Sequence, residues 1–338
     1  MDASPSRPVP PSPMHGARAA ALAALGRFSP FGAAALGLFA VAGIWIAIIH
    51  HLNDVRTQAH AAAMQNAGNL VRSFDEHISR TFRSIDQTLL YIRAVYARDP
   101  KAFDMSLWSR SDHFLSGRAF DLSIIDAQGY LVDTSVANVP DRIDYSDRDY
   151  FRAQRDSTQD ELFISKPAIR RISGKPMIQS SRRINAADGS FAGVLTLSVS
   201  PDDLADFYKS IDVGAKGVIG LVRDDGTILA RASRSVSGPP QSLVGSNLMK
   251  AYAEHPIGAF DANPSPVDHV ARSFAYRGIE DYPLVVFVAL AQDEYFAGYY
   301  RDRASFLTAG TLLSAVLLLV TTLTSLHHAN LLRTRANL

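Results

Sequence analysis

Residues 122–135 read LSIIDAQGYLVDTS, and residues 219–233 read IGLVRDDGTILARAS. Placing Gly129 on Gly226 sets Ile124 and Ile125 against Leu221 and Val222, and Leu131 against Ile228. Each segment is an apolar run, a polar turn and a second apolar run, the pattern of a β-hairpin. The turns are Asp126-Ala127-Gln128-Gly129 and Asp224-Asp225-Gly226. Glycine takes the positive φ that a tight reversal needs. A later strand follows each hairpin, at 193–199 (GVLTLSV) and 283–290 (PLVVFVAL), and a helix follows each strand. Ser200-Pro201-Asp202-Asp203 opens the first of these helices, with Ser as cap, Pro in the first turn and acids at the positive end of the dipole. The second is read over 291–305, running straight into the apolar segment beyond it. The middle of the chain is therefore two similar α/β units of roughly a hundred residues each. Their pattern is that of antiparallel sheets backed by helices.

Upstream of the first hairpin, residues 50–99 contain one glycine, Gly68, and no proline until Pro100. Phe74, Ile78, Phe82, Ile85, Leu89 and Ile92 follow steps of four and three, the helical period. One helix is expected from the first apolar run to about Tyr96, on the order of 70 Å at 1.5 Å per residue. Two readings of its stripe stand together: packing on its own domain, chiefly in the distal half, and pairing with the same helix of a second subunit.

Two uncharged apolar runs bracket this region, at 31–49 and 306–326. At about 20 residues each is long enough to cross a bilayer as a helix. Arg7, Arg18 and Arg27 precede the first, and Arg333 and Arg335 follow the second. Basic residues in short flanks mark the cytoplasmic side, which places the middle outside the cytoplasm, read as the periplasm. The first run is longer than the core of a signal peptide and is read as a retained anchor. The Pro-rich leader reads as a disordered tail. The expected divisions are a tail (1–27), a span (28–49), a stalk helix (50–97), a membrane-distal unit (98–212), a membrane-proximal unit (213–305), a second span (306–326) and a short tail (327–338).

The chain has no cysteine, in keeping with an oxidising compartment. A net charge of +1 excludes the strongly basic face that nucleic acid requires. No catalytic constellation is present: no His pair at metal-binding spacing inside the domain, no Gly-rich phosphate loop, no nucleophile elbow. The pairs His50-His51 and His327-His328 each abut a span and read as interfacial residues. Neither a metal nor a cofactor is expected. Residues 327–338 are too few to fold a catalytic domain.

The stretch DYSDRDYFR (144–152), followed by FISKP (163–167) and SRRI (181–184), resembles the first unit of the double Cache, or PDC, sensor domain. YPLVV (282–286) is similar to the closing strand of its second unit. The resemblance covers about residues 35–326 and is to bacterial diguanylate cyclases and sensor histidine kinases. It implies an α+β fold of two tandem PAS-like Cache units behind a long stalk helix, bracketed by two transmembrane helices. It also implies a small-ligand site in the distal unit, under the helix that carries an Arg–aromatic motif. In amino-acid receptors of the family that motif maps onto Arg148, Tyr150 and Phe151. Two departures stand out. Ser198 occupies the place of an aspartate that holds the ligand's amino group, and Ile143 stands where an aromatic is expected. These count against α-amino acids and leave a small anion or carboxylate open.

Physically, Arg148 offers a planar fork suited to a carboxylate. Tyr145, Tyr150 and Phe151 are suited to wall an apolar pocket around it. Lys166, Arg182 and Ser198 are expected on strands facing the same cavity. Plainer readings stand beside these. Arg148 pairs with Asp149 or another local acid. Asp149 completes a capping box begun by Ser146. Tyr150 and Phe151 are core aromatics. Residues 169–175, with Arg170, Arg171 and Lys175, form a solvated hairpin tip, against the sharper reading of an anion site.

The function expected is a membrane-anchored receptor, not an enzyme. It would bind a small molecule, dimerise through its stalk and signal to a separate cytoplasmic or membrane enzyme. The alternatives are the sensor portion of a cyclase or kinase whose catalytic domain lies elsewhere, and an interaction module with a vestigial pocket.

Overall fold

The computed structural model describes residues 30–105, 120–136, 139, 142–209, 211–234, 242–265 and 268–336; the expected N-terminal tail lies outside them. The described parts of Met1–Ala59 and Phe296–Leu338 form one compact unit, and His60–Tyr295 form another.

Helix α1 (Pro30–Arg98) is continuous for 69 residues. Gly68 faces open space and does not interrupt it. The helix stops where Pro100 disfavours helical geometry in the residue before it. Asp99 Oδ1 accepts the amides of Lys101 and Ala102 there, at 3.1 and 3.2 Å. The six apolar residues from Phe74 to Ile92 are all 0–1% exposed. Burial within the chain also reaches Ala63, Ala67 and Val71, further toward the N-terminus than the distal half of the stripe.

Two antiparallel sheets pack on this helix. The first contains β1 (Asp121–Asp126), β2 (Leu131–Thr134), β3 (Phe163–Ile164), β4 (Ala168–Ile169), β5 (Pro176–Asn185) and β6 (Phe191–Val199). Its order is β2-β1-β6-β5-β3, with β4 also on β5. Helix α2 (Asp149–Asp156) lies on the face away from α1, and α3 (Pro201–Lys209) follows β6. The second sheet has β7 (Val218–Arg223), β8 (Ile228–Ser233), β9 (Ile257–Ala262), β10 (Arg272–Gly278) and β11 (Leu284–Ala291), ordered β8-β7-β11-β10-β9. Helix α4 (Asn247–Glu254) packs against β9 and β10.

The repeat survives in detail. The register shifts between Ile124 and Ile125 in one hairpin, and between Leu221 and Val222 in the other. These are the residues the sequence alignment superposes. Gly129 and Gly226 hold φ of 96° and 85°. Asp126 Oδ1 accepts the amide of Gln128 at 3.0 Å, and Asp225 Oδ1 that of Thr227 at 2.9 Å. The α3 cap forms as read: Ser200 Oγ accepts the amides of Asp202 and Asp203.

The helix expected over 291–305 is not continuous. Strand β11 runs through Ala291; α5 (Gln292–Tyr295) is a single turn, and α6 (Ala297–Ala336) begins after Phe296. Glu294 Oε1 accepts the amides of Ala215 and Lys216, at 3.0 and 3.1 Å, which ties α5 down. Phe296 is buried, with Tyr299, Tyr300 and the Arg56 guanidinium against its ring.

α1 and α6 each contain a segment long and apolar enough to cross a membrane, with mean hydropathy 2.0 and 2.1. They approach closely at small residues, Gly37 beside Thr321 and Gly310 beside Ile48. Trp45 Nε1 donates to Ser314 Oγ at 3.2 Å. Both features are usual for helices packing in lipid.

Ahead of β10, Arg272 grips Asp268 with both terminal nitrogens, one at 3.0 Å. The pairing holds the Asp268 carboxyl at about 2, below the ordinary value near 3.9. A carboxyl with a folded pKa below its unfolded one contributes stability above the unfolded value and loses it as pH falls. Acid unfolding between about pH 4 and pH 2 should therefore flatten in Arg272→Met, as read by circular dichroism. A wild-type slope in that variant would contradict the assignment.

Candidate functional site

Neighbours in an antiparallel sheet project to the same face, and faces alternate along each strand. In the first sheet, Leu122, Ile124, Leu195, Leu197, Ile178 and Ile184 join the core around α1. The opposite face carries Ser123, Ile125, Thr196, Ser198 and Gln179. There α2, the segment before it and β4 cover the sheet. Between them lies a cavity of about 20 Å³, room for one or two waters. Ser123 and Ile125 (β1), Gln179 (β5) and Thr196 (β6) form its floor. Tyr145, Arg148 and Tyr150 close one side, and Ala168, Ile169 and Arg170 the other.

Arg148 occupies the N-cap position of α2 with extended backbone. Its Nη2 donates to the Ile169 carbonyl at 3.0 Å, and it forms no ion pair among the described residues. The reading in which it pairs with Asp149 is set aside. Asp149 instead accepts the Tyr150 amide at 2.8 Å and the Lys166 amide at 3.4 Å. The capping box from Ser146 does not form either. The helix starts at Asp149 itself, so Ser146 lies too far upstream to cap it, and its amide donates to Asp144 Oδ1.

Burial raises the pKa of the Tyr145 hydroxyl and pushes that of Tyr150 well above the usual phenol range. Both enter any contact as neutral donors. Phe151 is core, edge-on to Phe191 at 5.7 Å, and does not line the cavity. Ser198 is on the cavity side, one layer out, where its Oγ donates to Gln179 Oε1 at 2.6 Å.

Two expected residues lie elsewhere. Arg182 pairs in register with Leu195, so it projects toward α1. There its Nε and Nη2 hold Asp86 at 2.7 Å each. Lys166 follows β3 and reaches the β7–β8 turn, with Nζ 3.3 Å from Asp225 Oδ2.

The site also contains residues not anticipated. Arg170, expected at a solvated tip, is 5% exposed. Its Nη1 bonds to Asp121 Oδ2, and its Nη2 donates to Ser123 Oγ at 3.2 Å. Asp121 sits directly across from Ser198. An acid is thus present at the edge of the site, one strand over from the position first considered, and already paired. Alternation along β5 and β6 was the signal for Gln179 and Thr196; the basic run 169–175 was the signal for Arg170, read chiefly as a solvated tip.

A twice-repeated antiparallel sheet on a long helix, with a donor-lined cavity under a short helix, is the architecture of a sensor domain. The family model for the Cache domain, dCache_1, matches residues 52–299, and the chain belongs to that family. Among solved structures, the extracellular domain of a protein described as a histidine kinase, rpHK1S-Z16, is 32% identical with a TM-score of 0.64. It covers 70% of this chain and 98% of its own. The ligand-binding domain of the Pseudomonas fluorescens chemoreceptor CtaA, in complex with L-isoleucine, is similar in fold at 18% identity and TM-score 0.53, covering 72% and 98%. That of the Campylobacter jejuni chemoreceptor Tlp3, with L-norvaline, matches at 15% and 0.52, covering 70% and 94%. No curated protein matches the chain. The chain thus carries a Cache sensor domain flanked by two apolar helices.

Proposed function

We propose that this protein is a two-span membrane sensor whose Cache domain lies in the periplasm and whose termini are cytoplasmic. It binds a small carboxylate in the distal cavity and passes a conformational change to α6. The observation that carries the ligand class is Arg148. Its guanidinium faces a cavity rimmed by neutral phenols, an amide, hydroxyls and the already paired Arg170, and no acid among the described residues lines that cavity. The complexes of CtaA and Tlp3 with amino acids support a small-molecule ligand in this fold. A cavity this small admits a ligand only when Arg148 leaves the Ile169 carbonyl and the β4 segment moves outward. Ligand binding is thereby coupled to a change of shape, and the signal is the ligand's preference for the open arrangement. The domain itself is not catalytic in this reading. A homodimer through α1 would set two copies of α6 side by side.

Arg148→Ala should abolish thermal stabilisation of the detergent-solubilised chain by a panel of small organic acids. Stabilisation equal to wild type would remove Arg148 from the site.

The likeness to rpHK1S-Z16 favours a histidine kinase as the output, reached through a continuation of the chain or a partner. Reading the coding DNA beyond Leu338 and in neighbouring genes tests this; absence of any kinase or cyclase frame would count against it.

A further inference from the structure

The cavity meets two guanidiniums, Arg148 and Arg170, and they differ in one respect. Arg148 has only a carbonyl as partner, whereas Arg170 is buried against the carboxylate of Asp121 and the hydroxyl of Ser123. Asp121 is on β1, opposite Ser198, which in turn bonds to Gln179 on the cavity floor. Its charge therefore cancels one of the two cations and leaves the site with one.

We infer that Asp121 determines the charge of the ligand: while it holds Arg170, the site takes a monocarboxylate without an ammonium group. This rests on the reading of the distal cavity as a carboxylate site. Three consequences follow from charge pairing alone. A monocarboxylate satisfies Arg148 and disturbs nothing else. A second carboxylate on the ligand would meet an arginine whose counter-anion is already in place, leaving one buried anion without a partner. An α-ammonium would be stripped of water in a cavity with no acid on its wall, since the nearby Asp121 is committed. The same logic predicts a switch. Asp121→Asn keeps the shape and removes the charge, so Arg170 becomes a second vacant cation.

Calorimetric titration of the detergent-solubilised chain with butyrate, succinate and L-2-aminobutyrate tests this. In wild type, butyrate should bind at least tenfold more tightly than the other two. In Asp121→Asn, succinate affinity should rise at least tenfold and overtake butyrate. In Asp121→Asn/Arg170→Met, which removes both charges, that gain should vanish and butyrate should lead again. An unchanged order of the three ligands in Asp121→Asn overturns the inference. So does tighter wild-type binding of L-2-aminobutyrate than of butyrate, which would make Asp121 the ammonium acceptor. Should Asp121→Asn fail to fold, the wild-type order and the double variant still decide. Butyrate binding that is lost in Arg148→Ala, with succinate affinity unchanged by Asp121→Asn, overturns the inference alone. Binding of none of the three overturns the carboxylate reading with it.

Discussion

Arg182→Met should lower the melting temperature of the His60–Tyr295 unit by roughly 6–20 °C. Arg182 projects from β5 toward α1, holding both oxygens of Asp86 and reaching Asp160 Oδ1 at 3.0 Å. Burial works against its charge, yet the two acids raise its pKa overall. The substitution keeps most of the volume and leaves Asp86 anionic and half-buried. Removing one partner of such a pair costs about 3–5 kcal/mol, and a unit of this size melts about 2–4 °C lower per kcal/mol. Asp160 keeps Arg93 at 2.7 Å, so it adds less to the loss. Arg182→Met/Asp86→Leu removes both charges and should recover most of the difference. Calorimetric melts of the three proteins check this, and a single variant within 2 °C of wild type would refute it. Because Arg182 faces away from the cavity, carboxylate binding at low temperature should persist in the variant. That separates it from Arg148→Ala.

A comparable loss is expected for Phe74→Ala. Phe74 is fully buried in the stripe of α1, edge-on to Tyr208 of α3 at 5.0 Å. Truncating a buried phenylalanine costs about 3–5 kcal/mol, as lost transfer energy and a cavity that only partly collapses. The Tyr208 ring loses its partner as well. Tyr91, on the same helix, is 54% exposed. Tyr91→Ala should change stability by no more than about 0.5 kcal/mol. Denaturant titrations of the two variants compare one helix with itself. Similar midpoints for both would mean that α1 is not the centre of the core.

What was legible in the sequence was local. The hairpins were readable because the glycine and aspartate of each turn act within a few residues. The stripe on α1 was readable because helical spacing is a property of one segment. The misplacements of Arg182 and of the capping box came from other causes. A residue's face on a strand depends on register with its neighbours, and a shift of one residue reverses it. Arg182 pairs with Leu195, and nothing in SRRI announces that parity. Asp149 was taken as the third residue of a helix that in fact begins with it. Arg170 lies in a segment whose composition favours water, and only the long-range partner Asp121 draws it inside. The interruption at Phe296 has no proline to mark it, and the nearby Gly298 lies inside α6. Of the candidate site, the residues bordering the short motif 144–152 were legible, and the sheet that floors the cavity was not.

The stripe on α1 has a consequence for biosynthesis. Its buried positions begin at Ala63, but the strand that completes their cover, β11, ends at Ala291. At the usual pace of about 5–20 residues per second, the ribosome needs roughly 10–45 s to make the residues between. Until then part of the apolar flank of the helix waits for its cover, although the first sheet is complete once β6 has been made. Such a nascent chain depends on holding factors, and substitutions that delay the second sheet should show first as lost yield rather than altered signalling.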